Sequence, residues 1–277
     1  MPDISHQRAT FRTLHESGCF VIPNPWDPGS ARALQDLGFQ ALATTSSGFS
    51  FSRGLSDSPD AVRADAMLEH IADIVAVAEV PVSADFRSGY ADDPDGVAAN
   101  VRRCVDTGVA GLSIEDTTAD PSKPLYELSE AVARVAAARQ AIDSSGEDVM
   151  LTARAECFLV DHQDPLGESI RRLKAYADAG ADVLFAPGLR SREDIKAIVD
   201  SVEPKPVNVL IGADTGLRVS DLADIGVRRI SVGSALARAG WGAFLRAARG
   251  IAEQGSFAGL DGAATFAQLN TIFDTHR

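Results

Sequence analysis

Short runs of apolar and β-branched residues alternate along this chain with longer segments whose apolar positions recur at helical period, the pattern of βα units feeding a parallel sheet. The short runs lie at Cys19 to Ile22, Ala41 to Thr44, Val80 to Ala84, Gly111 to Ile114, Val149 to Ala153, Val183 to Phe185, Val207 to Ile211 and Arg229 to Val232. Helical period occupies Ser30 to Leu37, Pro59 to Ala78, Pro94 to Thr107, Glu127 to Ser144, Pro165 to Ala179, Ser191 to Asp200 and Arg218 to Ile225, and Ser234 to Glu253 closes the series. Eight cycles predict a (β/α)8 barrel of the TIM type, preceded by an amphipathic segment carrying Phe11 and Leu14. Cap-type residues stand before prolines at Ser58-Pro59, Asp93-Pro94 and Asp164-Pro165, while Gly38, Gly108, Gly180 and Gly226 follow helix ends in four copies of one helix-to-strand turn. No linker interrupts the pattern, so residues 1–277 read as one domain, with 241–277 as a C-terminal helical extension. Its apolar face (Phe266, Leu269, Ile272, Phe273) has to be covered, either by the chain's own barrel or by another subunit.

Composition narrows the class. At 277 residues and 45% hydrophobic the chain can bury a full barrel core. A formal charge of −13 repels phosphate backbones and argues against a nucleic-acid partner. Cys19, Cys104 and Cys157 are too few and too scattered for a disulfide framework or a thiolate metal site, and no apolar run is long enough to span a bilayer. The expectation is a soluble, cytoplasmic protein with no membrane partner.

Chemistry gathers where the runs end. Asp85 follows the third run, Glu115 and Asp116 the fourth, and Arg154 the fifth; Thr44, Thr45, Ser46, Ser47 and Gly48 follow the second, and Asn208 lies within the seventh. In a parallel barrel these positions meet at the C-terminal mouth. Asp57, Asp85 and Glu115 would make a hard-oxygen cluster suited to Mg²⁺ or Mn²⁺. Arg154 and the backbone N–H groups of Ser46, Ser47 and Gly48 would receive a substrate carboxylate, while the ion stabilised charge developing on an enolate oxygen. Each residue taken alone is as readily a helix cap, a local ion pair or a backbone-satisfying turn; the set at one mouth is what points to a site.

The segments Pro23-Asn24-Pro25-Trp26-Asp27, Thr44 to Gly48, Gly54-Leu55-Ser56-Asp57, Ala84-Asp85 with Gly89-Tyr90, Ile114-Glu115-Asp116, Ala153-Arg154 and Gly226 to Gly233 together resemble the isocitrate lyase and phosphoenolpyruvate mutase superfamily. The resemblance implies a barrel whose last helix is exchanged between paired subunits, a Mg²⁺ or Mn²⁺ site served by Asp85, Asp57 and Glu115, carboxylate binding by Arg154, backbone donors from Thr45 to Gly48, and chemistry through a pyruvate-like enolate. Two departures stand out. Ser83-Ala84-Asp85 replaces the family's Asp-Ala-Asp, and an inserted Phe86-Arg87 puts Arg87 beside the site, where it is either a second carboxylate ligand or a solvated loop residue. The loop after Asp116 lacks the lyase Lys-Lys/Arg-Cys-Gly-His segment, leaving Lys123 as the stand-in for the family lysine and no cysteine in reach. His162, beyond Arg154, is a further candidate for ligand contact.

The leading expectation is a metal-dependent carbon–carbon lyase or decarboxylase acting on a small 2-oxo or 2-hydroxy carboxylic acid, working as a homo-oligomer, tetramer or dimer. The alternatives are carbon–phosphorus chemistry of the mutase or phosphonopyruvate hydrolase type, and a 2-oxo-diacid-binding protein without turnover.

Overall fold

In the computed structural model, which describes residues 3–58 and 60–275, eight parallel strands form one sheet in the order β1-β8-β7-β6-β5-β4-β3-β2. They are β1 (Phe20–Ile22), β2 (Leu42–Ala43), β3 (Val82–Asp85), β4 (Gly111–Glu115), β5 (Met150–Arg154), β6 (Val183–Phe185), β7 (Val207–Leu210) and β8 (Arg229–Ser231). Pairing of β1 with β8 curls the sheet back on itself, and the Ala43 N–H donates to the Pro23 carbonyl at 3.0 Å across the remaining gap beside β2. The nearly closed ring is the predicted (β/α)8 barrel.

The helices are α1 (Ile4–Leu14), α2 (Pro28–Asp36), α3 (Ser46–Ser52), α4 (Ala64–Val77), α5 (Pro94–Asp106), α6 (Leu128–Ser145), α7 (Pro165–Asp178), α8 (Arg192–Val202), α9 (Val219–Ala223), α10 (Ala235–Gln254) and α11 (Phe266–Thr275). Asp93 and Asp164 accept from the N–H groups of Gly96 and Gly167, so both cap as their proline pairs predict. Gly38, Gly108, Gly180 and Gly226 all take left-handed φ, between 85° and 99°, which is why the four repeated turns carry glycine. The helix that periodicity predicts over 59–78 begins instead at Ala64, because the chain first turns inward to bury Val62. Pro59, placed by the sequence at its first turn, lies outside the described residues.

Helix α1 closes the end of the barrel opposite the strand C-termini. Phe11 is fully buried in a cluster with Phe20, Ile22, Ala41, Ala110, Met150 and Val183. A Cβ on Gly111 would come within 2.7 Å of the Phe11 ring, so close approach of helix and strand requires glycine there. Arg8 fastens the plug by donating to the carbonyls of Val109 (3.0 Å) and Val105 (3.2 Å) and pairing with Glu147.

At the other end of the chain, α10 buries only Ala237 among its twenty residues. Trp241, Leu245 and Phe244 (59% exposed) face outward, as does Phe266 of α11 (89%). The helix runs unbroken through residue 241, so the extension starts inside an element rather than at a boundary. α11 packs on α2, with the Phe273 ring beside Gly29. Among the described residues no helix is long and apolar enough to cross a membrane.

Candidate active site

Glu115 and Arg154 end adjacent strands and are register partners, and Asp85 ends the strand beside them. Arg154 Nη1 reaches Asp85 Oδ1 at 2.9 Å and Glu115 Oε2 at 3.1 Å, and Nε donates to Glu156 Oε1 at 2.7 Å. Its guanidinium also lies 5.2 Å from the Phe185 ring centroid. Burial by itself would lower the Arg154 pKa, but Glu156, Glu115 and Asp85 together raise it above its ordinary value. One guanidinium thus gathers three carboxyl groups. Burial pushes the Glu156 carboxyl up to about 8, with Arg154 working against the shift.

The second strand supplies the opposite wall. Thr45 caps α3 by accepting from the Gly48 N–H at 3.2 Å, so the segment expected to supply backbone donors is the first turn of a helix. The Ser46 N–H already donates to Asp85 Oδ2 at 2.9 Å, leaving fewer free backbone donors than the sequence suggests. A Cβ at Gly48 would fall 2.6 Å from Thr45 Cγ2 and 3.1 Å from Trp26 Cβ. Arg87, held at φ 46°, pairs with Asp57 Oδ1 at 2.6 Å and donates to the Ser58 carbonyl at 3.2 Å; the Ser47 hydroxyl donates to the other Asp57 oxygen. These side chains surround a cavity of about 300 Å³ at the barrel mouth, lined among others by Thr45, Ser47, Asp57, Asp85, Arg87 and Arg154. Glu115 and Asn208 line it too. Lys123 does not: it is exposed in the loop after β4. His162 lies outside the cavity as well, accepting from the Asp164 N–H at 3.2 Å.

Sequence reasoning missed several members. Glu156 follows Arg154 by two residues but turns inward to reach it. Asn24 spans the barrel seam, accepting from the Val232 and Gly233 N–H groups and donating to the Thr44 carbonyl. Its position within Pro23-Asn24-Pro25 was the available signal. Arg229, at the start of β8, reaches the cavity from below. Asp116 is structural: it accepts from Tyr176 (2.6 Å), Arg172 (3.0 Å) and the Glu156 N–H (2.9 Å).

The expected Mg²⁺ or Mn²⁺ cluster of Asp85, Asp57 and Glu115 is not assembled. Asp57 is turned to Arg87 and Ser47, Asp85 to Arg154 and Ser46, and Glu115 to Arg154 and Thr117, whose hydroxyl donates to Oε1 at 2.7 Å. Among the described residues no group of three or more His, Cys, Asp or Glu is placed to hold a metal ion. The acids answer their mutual repulsion with guanidinium groups, and an ion would have to displace Arg154 to reach Asp85 and Glu115. As arranged, the donor set does not fit a divalent ion.

Over residues 11–252 the chain matches the family described as phosphoenolpyruvate phosphomutase. It belongs to that family. A candidate lyase/mutase from Burkholderia cenocepacia J2315 has a solved structure similar to this phosphomutase-family barrel at TM-score 0.94 and 45% identity, covering 98% of this chain and 97% of that one. Oxaloacetate acetylhydrolase in complex with its product oxalate is similar at TM-score 0.86 and 26% identity, covering 98% and 95%. Oxaloacetate decarboxylase of Pseudomonas putida (strain GB-1) is 32% identical over 249 residues, 85% of this chain and 82% of the relative. The chain is an enzyme of the isocitrate lyase and phosphoenolpyruvate mutase superfamily, whose representatives here are lyases, mutases and hydrolases of one fold.

Proposed function

We propose that this enzyme is a carbon–carbon lyase acting on a small 2-oxo dicarboxylic acid, with decarboxylation of oxaloacetate as its most direct reaction. The observation that carries the reading is Arg154 at the cavity mouth, a planar guanidinium fixed by Asp85, Glu115 and Glu156 and so presented to the cavity in one orientation. The decarboxylase and acetylhydrolase relatives supply the substrate class. In this reading Arg154 and Arg87 face the carboxylates of the bound acid. The C3–C4 bond breaks, its electron pair moves to the C2 carbonyl oxygen, carbon dioxide leaves, and protonation of the enolate at C3 gives pyruvate. The side-chain arrangement assigns no step to a metal ion.

The test is pyruvate formation from oxaloacetate above the spontaneous rate, with purified enzyme, run with added Mg²⁺ and with a chelator. Turnover in both arms supports the reading as written. Turnover only with Mg²⁺ would restore the metal and require Arg154 to move. Absence of turnover on oxaloacetate and on 2-hydroxy diacids would sink the lyase reading.

A further inference from the structure

Beneath the mouth, the barrel interior holds a cation that no carboxylate among the described residues neutralises. Arg229 opens β8 beside Asn208 of β7, is only 5% exposed, and lines the floor of the cavity with Thr152, Asn208 and Ser231. Its Nε donates to Asn208 Oδ1 at 2.9 Å and its Nη2 to Thr152 Oγ1 at 3.0 Å, while Nη1 lies 3.3 Å from His15 Nε2. All three partners are neutral. Burial first, and then Arg229 itself, push the His15 pKa down to about 3; His15 Nδ1 sits 2.7 Å from the Phe11 carbonyl, which places the ring proton there and leaves Nε2 as acceptor. A guanidinium carries more N–H donors than these three acceptors take up.

Other buried arginines in the chain are satisfied differently. Arg154 and Arg172 rest on carboxylates, and Arg134 is taken up by the carbonyls of Ser88, Ala91 and Asp92 and by the face of Tyr126. Arg229 alone among these has neither carboxylate nor carbonyl, and it alone borders the cavity from below. An anion entering the mouth meets Arg154 with its charge already offset by the Asp85 and Glu115 carboxylates, and meets unoffset positive charge only further down. We infer that Arg229 is a further anion-binding group beside Arg154 and Arg87, receiving a carboxylate or enolate oxygen of the substrate at the deep end of the cavity. This deepens the reading of the site as one for a small 2-oxo diacid, and rests on it for the identity of the anion.

Calorimetry with oxalate, a planar dianion, and thermal shift with nitrate, a planar monoanion, test it on the full chain. In Arg229→Met the Kd for oxalate should rise at least tenfold and the stabilisation by nitrate should vanish, while the unliganded Tm holds or rises because a buried unpaired charge has been removed. Arg229→Lys should recover part of the affinity. Should Arg229→Met fail to fold, Asn208→Asp sets a carboxylate against the guanidinium and should weaken oxalate by a similar factor. Wild-type affinity for oxalate in a folded Arg229→Met or Asn208→Asp variant would overturn the inference. If the wild type takes up nitrate but not oxalate, the 2-oxo diacid reading fails and the anion site stands; if it takes up neither, the anion site fails.

Discussion

Arg154 holds three carboxyl groups at once, so its substitutions should not behave alike. Arg154→Lys keeps the charge but loses the planar fork, and the KM for oxaloacetate should rise at least about tenfold; unchanged steady-state constants would reduce Arg154 to a structural ion pair. Arg154→Ala removes the hydrogen-bond partner of buried Glu156 and should cost about 1–3 kcal/mol in urea unfolding. Glu156 has its own signature. Its folded pKa, near 8, lies above the ordinary carboxyl value, so in between the folded state holds a proton that the unfolded state has released, and stability falls as pH rises through that window. Glu156→Gln should flatten that slope. No cysteine should matter to turnover: burial raises the thiol pKa of Cys104 and holds that of Cys157 up at about 11. A folded triple Cys→Ser variant should keep most of its activity, and loss in Cys157→Ser alone, without loss of stability, would reopen thiol chemistry. Asp85, Glu115 and Arg154 were legible because each ends an apolar run, where a parallel barrel presents its chemistry. Arg229 was not, since the start of a strand reads as scaffold and nothing local reveals that its side chain lines the cavity.

At the scale of elements, period and punctuation carried the eight cycles, and tertiary packing moved their ends. The Thr45 to Gly48 stretch has poor helix formers, yet it becomes α3 because Thr45 caps it and Phe49 is buried beneath it. Burial of Val62 likewise delays α4, a tertiary demand that periodicity cannot express. The N-terminal segment was legible as amphipathic but not as the barrel's plug, since its partners at residues 105–111 and 147–150 are far away in sequence. Phe11→Ala should cost about 3–5 kcal/mol by chemical denaturation, the cost of emptying a packed aromatic site. A loss below about 1 kcal/mol would mean that α1 merely rests on the barrel.

For the whole molecule, the outward-facing row of Trp241, Phe244 and Leu245 on α10 is too contiguous for a lone protomer in water. An oligomer, tetramer or dimer, is the proposed form, with α10 packed on another subunit, and light scattering at micromolar concentration should give a multiple of 29.2 kDa. A mass of one chain would remove the interface. The order of the strands has a further consequence, for synthesis. Because β1 finds its ladder partner only in β8, the first strand of the barrel to be made must wait for the last, and the sheet stays unringed until residue 231 has emerged. Any truncation ahead of β8 therefore leaves that first strand without its ladder partner and should leave the barrel unclosed.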